Sequence, residues 1–196
     1  MAKAGVSRLR DRETSLGDFR RVLRELAVIV GVEASRDLEL REIPLRTPIA
    51  SCTGHEFARP LVIIPILRAG LGMAEALLHV FPDARVGHVG LYRDEDTFEP
   101  QSYYFKTPPL EDSDIFLVDP MLATGQSAAD AVDKLKGAGA KSLRVLALIG
   151  ARPGVELFCS RHPDVPIFLT ALDQELNDKA YIVPGLGDAG DRYFGT

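Results

Sequence analysis

Apolar residues along this chain follow two patterns, one typical of helices and one typical of buried strands. After Ser15, apolar residues recur every three or four positions from Phe19 to Val30, and Asp18 completes a capping-box-like start, which predicts a helix. The same spacing predicts helices at 70–80, 127–136 and 155–161. Short continuous apolar runs predict buried strands at 61–65, 86–91, 115–118, 143–149 and 167–172.

The order of these elements predicts the fold class. Strands that alternate with helices favour an α/β fold, in which a mostly parallel central sheet is flanked by helices and joined by right-handed crossovers. The chain up to Arg59 is less regular, and Pro44, Pro48 and Gly54 interrupt it. Ligands of such sheets bind beyond the carboxyl ends of the strands, so we expect the functional residues at that edge.

One charged segment, at 92–109, breaks the alternation of strands and helices. It is too long and too charged for a simple connection between neighbouring elements. Its two halves could pair as a protruding hairpin, or the segment could be a solvated excursion without a function, and the sequence leaves both interpretations open.

Composition narrows the class of protein. The 196 residues suffice for one domain, and the 46% hydrophobic and 26% charged residues are ordinary for a globular protein. A formal net charge of -5 gives no general attraction to nucleic acid or to a membrane surface. We find no membrane-spanning run and no signal peptide, and we expect a cytoplasmic location. The two cysteines, Cys52 and Cys159, are too far apart for metal-binding or redox spacing.

The arginines near the start of the chain alternate with acidic residues. Such a pattern predicts a solvated helix face and argues against a targeting peptide, which would be poor in acidic residues. The arginines concerned are Arg8, Arg10, Arg12, Arg20, Arg21 and Arg24.

A carboxylate and a small-residue loop follow the strand at 115–118. Asp119 stands at the strand end, and residues 123–127 are small or flexible where a helix begins. The free amides of a helix start bind anions, and Gly125 permits a positive φ. Because the loop has no lysine, it fits a phosphate monoester better than a nucleoside triphosphate, with Asp119 placed for sugar hydroxyls. An ordinary strand–turn–helix connection capped by Thr124 explains the same residues.

A second loop, at 65–72, ends the strand at 61–65. Its Arg68 could pair with a pyrophosphate group, with the amides of Ala69 and Gly70 beside it. Arg93 is a further cation at a strand end. Each arginine taken singly is also explained by a surface ion pair.

The C-terminal stretch contains GLGDAG, which matches the dinucleotide-binding fingerprint letter for letter. That fingerprint requires a helix that opens at the glycines and an acidic residue about 20 residues later, whereas this chain ends at Thr196. We interpret the stretch as a glycine-rich loop whose backbone approaches a flat ligand, with Asp188 and Asp191 beside it.

Four motifs together, PILRAGLG, LYRDED, VDPMLATGQS and YIVPGLGDAGDRYFG, resemble those of the bacterial uracil phosphoribosyltransferases. The resemblance implies a type I phosphoribosyltransferase fold in a single domain at 1–196. Its parts would be an N-terminal helix and hood-like segment at 1–59, a β-arm at 92–109 and a uracil-binding loop at 180–196. The implied reaction, in pyrimidine salvage, converts uracil and phosphoribosyl pyrophosphate (PRPP) to UMP and diphosphate, with Mg²⁺.

The resemblance also implies roles for individual residues. Asp119, Arg68 and Asp188 would be catalytic. Contacts to PRPP would come from Arg68, Arg93, Asp119, Pro120, Met121, Leu122, Ala123, Thr124, Gly125, Gln126, Ser127 and Asp188. Uracil would contact Ile182, Gly187, Asp188 and Ala189. No residue is expected to be a dedicated metal ligand, since Mg²⁺ would be held mainly through PRPP and water.

Two residues depart from the pattern of the wider family. Pro120 stands where many phosphoribosyltransferases have a second acidic residue, and Gln126 stands where relatives usually have glycine. The resemblance further implies a homodimer or larger homo-oligomer that uses the arm, and GTP activation in some members. The alternatives are another enzyme of the same fold that uses a purine or orotate, a PRPP-binding regulator, or a weakly active paralogue.

Overall fold

The computed structural model describes residues 1–93 and 100–196, with the side chains of 91–93 and 100–102 excepted. The helices are α1 (Ala2–Arg10), α2 (Leu16–Ser35), α3 (Leu71–Val80), α4 (Gln126–Gly137), α5 (Arg152–Arg161) and α6 (Ala189–Phe194). The strands are β1 (Leu40–Arg46), β2 (Ser51–Phe57), β3 (Leu61–Leu67), β4 (Arg85–Val86), β5 (His88–Arg93), β6 (Pro100–Lys106), β7 (Asp114–Val118), β8 (Met121–Leu122), β9 (Ser142–Ala151), β10 (Ile167–Asp173), β11 (Glu175–Leu176) and β12 (Ile182–Val183).

The central sheet has the order β10-β9-β7-β3-β5-β6, with β4 paired to β3 and β8 paired to β9. Within the described residues every pairing in this sheet is parallel except that of β5 with β6. The antiparallel pairing confirms that the two halves of the charged arm run side by side, whereas its tip at 94–99 lies outside the described residues.

Helices cover both faces of the sheet, as the sequence predicts. Successive residues of a strand point to opposite faces, so Ile63 packs with α2 and α3 while Ile64 packs with α4. The predicted helix after Ser15 is confirmed, since the Ser15 hydroxyl accepts the amide of Asp18 at 3.2 Å. None of the helices in the described part of the chain has the length and the apolar composition that crossing a bilayer requires.

The structure adds or divides elements at three places that the sequence did not predict. The irregular stretch before Arg59 contains an antiparallel hairpin, β1 with β2, whose residues are mostly exposed. The predicted strand at 86–91 is divided at Gly87 into β4 and β5, and the first ten residues contain α1. Polar, exposed or very short elements lack the apolar periodicity on which sequence reasoning depends.

Candidate functional site

Three predicted site residues lie at the carboxyl ends of adjacent strands, at one edge of the sheet. Strand β3 is parallel to both β5 and β7 and lies between them. Arg68 follows β3, Arg93 is the last residue of β5, and Asp119 follows β7. The backbone therefore brings their carboxyl ends together, although the side chain of Arg93 lies outside the described residues.

The loop at 119–127, which we call the donor loop, is built by pairing with β9 and by a helix start. The carbonyl of Pro120 accepts the amides of Leu148 and Ile149, both at 3.1 Å, and Met121 and Leu122 form β8 beside β9. Gly125 precedes α4 with φ 78°, as predicted for a residue in the left-handed region. The first amides of α4 therefore open toward the carboxyl edge of the sheet.

A contact outside the loop fixes its shape. A Cβ atom on Gly125 would lie 2.2 Å from the carbonyl oxygen of Gly154, and one on Gly154 would lie 2.0 Å from that of Ala123. The two backbones touch so closely that replacing either glycine would displace the backbone of the other segment. Sequence reasoning missed Gly154, which stands in the first turn of α5.

The unusual Gln126 turns its side chain along α4. Its Nε2 donates to both carboxylate oxygens of Asp130, at 3.0 and 3.2 Å, and Arg161 donates to the same carboxylate at 2.7 Å. The amide of Gln126 points to the hydroxyl of Thr124 at 3.4 Å. Ser127, one residue later, is exposed at the helix start.

Asp119 lies in an environment that disfavours its charge. Burial raises its pKa to about 7, the hydrogen bond from the Met121 amide works in the lowering direction, and the negative charge of Asp188 raises it further. The Met121 amide donates to Oδ1 at 3.2 Å. The two predicted catalytic carboxylates are thus close enough to repel each other, and a positively charged group between them would be stabilised.

The loop after β3 corrects one sequence prediction. The amide of Gly70 donates to the carbonyl of Ile66 at 2.9 Å, so it is engaged within the loop and not beside a pyrophosphate. A Cβ atom on Gly70 would lie 2.4 Å from the carbonyl oxygen of Val118, so the loop packs directly against the strand end before Asp119. Glycine is required here by that close approach.

The guanidinium of Arg68 lies over the C-terminal segment. Its Nη2 is 3.6 Å from Oδ1 of Asp191, and its Cζ is 5.6 Å from the centre of the Phe194 ring. The side chain is 59% exposed, so solvent screens the ion pair strongly. Arg68 can therefore change partner when a more highly charged group arrives.

The residues at 180–196, which we call the acceptor segment, contain more regular structure than the sequence predicts. Ile182 is buried in β12, Gly187 has φ 81°, and Asp188 begins α6 by accepting the amide of Asp191 at 2.9 Å. A helix therefore opens at the glycines, which corrects the interpretation of this stretch as a loop throughout. It has only six residues, from Ala189 to Phe194, and it follows β12, which pairs antiparallel with β11 and is not part of the central parallel sheet, so the dinucleotide interpretation stays excluded.

Three of the six arginines near the start of the chain hold this segment, which corrects the prediction of a solvated face for them, whereas Arg8, Arg12 and Arg21 are exposed as predicted. Arg10 donates to Asp173 and to the carbonyl of Gly185. Arg20 donates to the carbonyl of Tyr193 at 2.7 Å, and Arg24 donates to its hydroxyl at 3.0 Å. Sequence reasoning missed Asp173, although an acidic residue at the carboxyl end of a strand is a signal that could have found it.

Among the described residues, no resident metal site accompanies these groups. Within 1–93 and 100–196, no group of three or more His, Cys, Asp and Glu side chains is arranged to hold a metal ion. The residue after Asp119 is Pro120, which offers no carboxylate.

Comparison with known proteins gives consistent matches over the whole chain. The profile of the family described as "Uracil phosphoribosyltransferase" matches residues 1–196. The uracil phosphoribosyltransferase of Staphylococcus carnosus is 50% identical over 193 residues, which cover 97% of this chain and 92% of that protein. That of Halalkalibacterium halodurans is 50% identical over 190 residues, which cover 96% and 91%.

Solved structures show the same relationship in three dimensions. The AQ2163 protein of Aquifex aeolicus matches with a TM-score of 0.94 at 36% identity, covering 100% of this chain and 94% of that one. A purine phosphoribosyltransferase of Pyrococcus horikoshii matches with a TM-score of 0.54 at 19% identity, covering 80% and 91%, and this likeness concerns the fold alone. The predicted type I phosphoribosyltransferase fold is confirmed, and the chain belongs to the uracil phosphoribosyltransferase family.

Proposed function

We propose a division of roles for the family reaction in this chain, in which uracil and PRPP give UMP and diphosphate. A bond forms between uracil N1 and the anomeric carbon, the bond from that carbon to the pyrophosphate oxygen breaks, and the N1 proton is released. Such displacements pass through an oxocarbenium-like state, for which no covalent nucleophile is needed. The observation that carries the proposal is the place of Asp119, at the carboxyl end of β7 and beside the start of α4, with Asp188 near enough for its charge to raise the pKa of Asp119.

The donor loop binds the 5′-phosphate in this proposal. Backbone amides at a helix start carry partial positive charge, and those from Ala123 to Ser127 lie at the start of α4. Asp119 holds the ribose hydroxyls and stabilises positive charge on the sugar in the transition state. The close contact with Gly154 supports this role because it preorganises the amides before the donor arrives.

Arginines bind the pyrophosphate end of the donor. Arg68 leaves its exposed contact with Asp191 and pairs with the pyrophosphate in fork geometry. Arg93, from the neighbouring strand, is the second proposed cation, and its place at the end of β5 supports the assignment. Magnesium supplies further positive charge that stabilises the leaving group, and we propose that donor oxygens and water hold it, because Pro120 removes a second carboxylate.

The acceptor segment recognises uracil in this proposal. We propose contacts from Ile182, Gly187, Asp188 and Ala189, with Asp188 also near the donor. Uracil presents an acceptor, a donor and an acceptor along one edge, and glycine-rich backbone can approach that edge closely. The positive φ angles of Gly185 and Gly187 support a backbone shaped for such an approach.

Assembly and regulation are proposed separately. The edge strand β6 exposes three consecutive aromatic side chains, Tyr103, Tyr104 and Phe105, which supports a homo-oligomeric interface at the arm. Sedimentation velocity across a range of concentrations tests it, because Tyr104→Lys should dissociate the assembly. GTP activation rests on the family resemblance, and its test is UMP formation with and without GTP.

One experiment separates the enzyme from a PRPP-binding regulator or a weakly active paralogue. The chain is incubated with uracil, PRPP and Mg²⁺, and UMP and diphosphate are measured over time. We expect steady turnover that stops in excess chelator, because the leaving group is polyanionic. PRPP binding without UMP formation would favour the regulator, and robust turnover in chelator would remove the metal from the proposal.

A further inference from the structure

One residue in the acceptor segment is held on both sides of its backbone. The amide of Gly185 donates to Oδ2 of Asp173 at 3.1 Å, and its carbonyl accepts Nη1 of Arg10 at 2.9 Å. Gly185 has φ 60°, and a Cβ atom there would lie 2.0 Å from the carbonyl oxygen of Ile182. This turn is therefore tight, and its two backbone hydrogen-bonding groups are both directed by side chains from elsewhere in the chain.

The two side chains that hold Gly185 also hold each other. Arg10 donates to both oxygens of Asp173, with Nη1 at 2.7 Å and Nη2 at 2.6 Å. Arg10 is 24% exposed and Asp173 is 7% exposed, so water screens the pair little. A charge-assisted, two-point pair of this kind fixes both orientation and distance, which a lysine could not do.

We propose that Arg10 and Asp173 are positioning residues for the uracil-binding backbone, and we call them the Gly185 clamp. The proposal rests on the proposed function, in which Ile182 and Gly187 contact uracil. Those two residues lie on either side of Gly185, so the clamp sets the distance and angle between them. The last residue of α1 and the last residue of β10 thus control a loop that neither of them borders in the sequence.

A separate anchor keeps the segment folded when the clamp is weakened. Arg192 donates to the carbonyls of Leu186 and Asp11, at 2.8 and 2.7 Å, and its Cζ lies 4.4 Å from the centre of the Phe19 ring. Tyr193 is buried against α2 and α3 as well. Loss of the clamp should therefore misplace the turn at Gly185 without releasing the whole segment.

The test compares the KM values of the two substrates. Arg10→Lys keeps the charge but loses the two-point pairing, and we expect it to raise the KM for uracil about tenfold, the effect of one charge-assisted hydrogen bond. The KM for PRPP should stay within about twofold, because the donor loop is held independently. Asp173→Asn, which leaves Arg10 without its charged partner, should raise the KM for uracil by about 30-fold and provides a second, independent variant.

Arg144→Lys is the matched control. Arg144 also donates to a backbone carbonyl, that of Ala34, and to a carboxylate, that of Asp37, and it is 13% exposed near the amino end of β9. The Arg144→Lys variant should lower the melting temperature about as much as Arg10→Lys does and leave both KM values unchanged.

The outcomes distinguish failure of the clamp from failure of the proposed function. Folded clamp variants with an unchanged KM for uracil, or with equal increases for both substrates, would overturn the clamp while wild-type turnover upheld the function. A wild-type protein that forms no UMP would overturn the proposed function, and the clamp with it. A tenfold increase in KM that is confined to uracil supports both the clamp and the proposed function.

Discussion

The donor loop and the acceptor segment are held in opposite ways. The donor loop is a continuous stretch from Asp119 to Ser127, and its shape comes from pairing with β9 and from the start of α4. The acceptor segment is held in part by arginines far away in sequence, since Arg10 donates to Gly185, 175 positions away, and Arg20 donates to Tyr193, 173 positions away. One half of the site therefore depends on elements that follow it closely in the chain, whereas the other depends on the start of the chain packing against its end.

The difference has a chemical reason. A phosphate needs several amides that point the same way, and a helix start supplies them from neighbouring residues. A planar base needs hydrogen-bonding groups spaced along one edge, which irregular backbone supplies only when other elements hold it. Damage to either half that leaves Asp188 in place should then appear in the kinetics of one substrate alone, because Asp188 is the residue proposed to contact both.

The largest expected effect concerns base choice at the acceptor segment. Cytosine places a donor where uracil has an acceptor, so a site built for uracil leaves buried groups mismatched. We expect kcat/KM for cytosine to be at least about 10³-fold lower than for uracil. Rates of UMP and CMP formation at equal donor concentration measure this, and comparable values would show that backbone hydrogen bonds do not select the base.

The next effect belongs to the donor loop. Asp119→Asn should lower kcat/KM on the order of 10²-fold, because the carboxylate charge matters most as positive charge develops on the sugar. The melting temperature at pH 8 should be unchanged or higher, since the variant removes a charge that burial disfavours. Near wild-type kinetics would mean that Asp119 only orders the strand end through Met121.

The raised pKa of Asp119 predicts a pH dependence. With a pKa of about 7, the carboxyl group is protonated below that pH and ionised above it. If ionised Asp119 is the active form, kcat/KM for PRPP should fall about tenfold for each pH unit below 7 and level off above it. Asp119→Asn should lack this inflection, and an unchanged profile in that variant would assign the titration to another group, such as the donor phosphate.

A substitution at Gly154, which lies outside the donor loop in the sequence, tests how that loop is held. In Gly154→Ala the new Cβ would press on the carbonyl of Ala123, so we expect the KM for PRPP to rise about tenfold, the cost of displacing a preorganised loop. Gly137→Ala is the matched control, since among the described residues no heavy atom beyond its chain neighbours and the backbone of its own helix lies within 4 Å of its Cβ position. A change in the KM for uracil of the same size would contradict the separation of the two halves.

The smallest expected effect comes from substituting Gln126. Its side chain is engaged by Asp130, away from the amides, so Gln126→Gly should shift the KM for PRPP by less than about tenfold. Ser127→Ala, which removes an exposed hydroxyl at the helix start, should do more damage. An inert wild type that Gln126→Gly restores to activity would show instead that the glutamine obstructs the donor phosphate.

The two halves also differ in how much the sequence could predict. The strands before Arg68 and Asp119 are continuous apolar runs, and the small residues near Gly125 indicate a helix start, so the donor loop was predictable. Short α6 and the polar hairpin of β1 and β2 have no such periodicity. The pairing of Arg10 with Asp173 depends on tertiary packing, and a single sequence contains no signal that joins positions so far apart.

The hydrogen-bond partners of backbone groups could not be predicted from the sequence either. The amide of Gly70 was a reasonable candidate for anion binding because it stands at a helix start, yet the loop turns it toward Ile66. A glycine pattern indicates close approach, but it does not say whether a ligand or another strand makes that approach. In this protein the end of β7, at Val118, is the group that approaches Gly70 closely.

The measurement that tests the separation most directly is two-substrate kinetics on Gly154→Ala, Arg10→Lys and the double variant. We predict that the first raises only the KM for PRPP, that the second raises only the KM for uracil, and that the double variant shows both increases unchanged, as expected for independent sites. If either single variant raises both KM values to a similar extent, the donor loop and the acceptor segment form one coupled unit, which would contradict their independence.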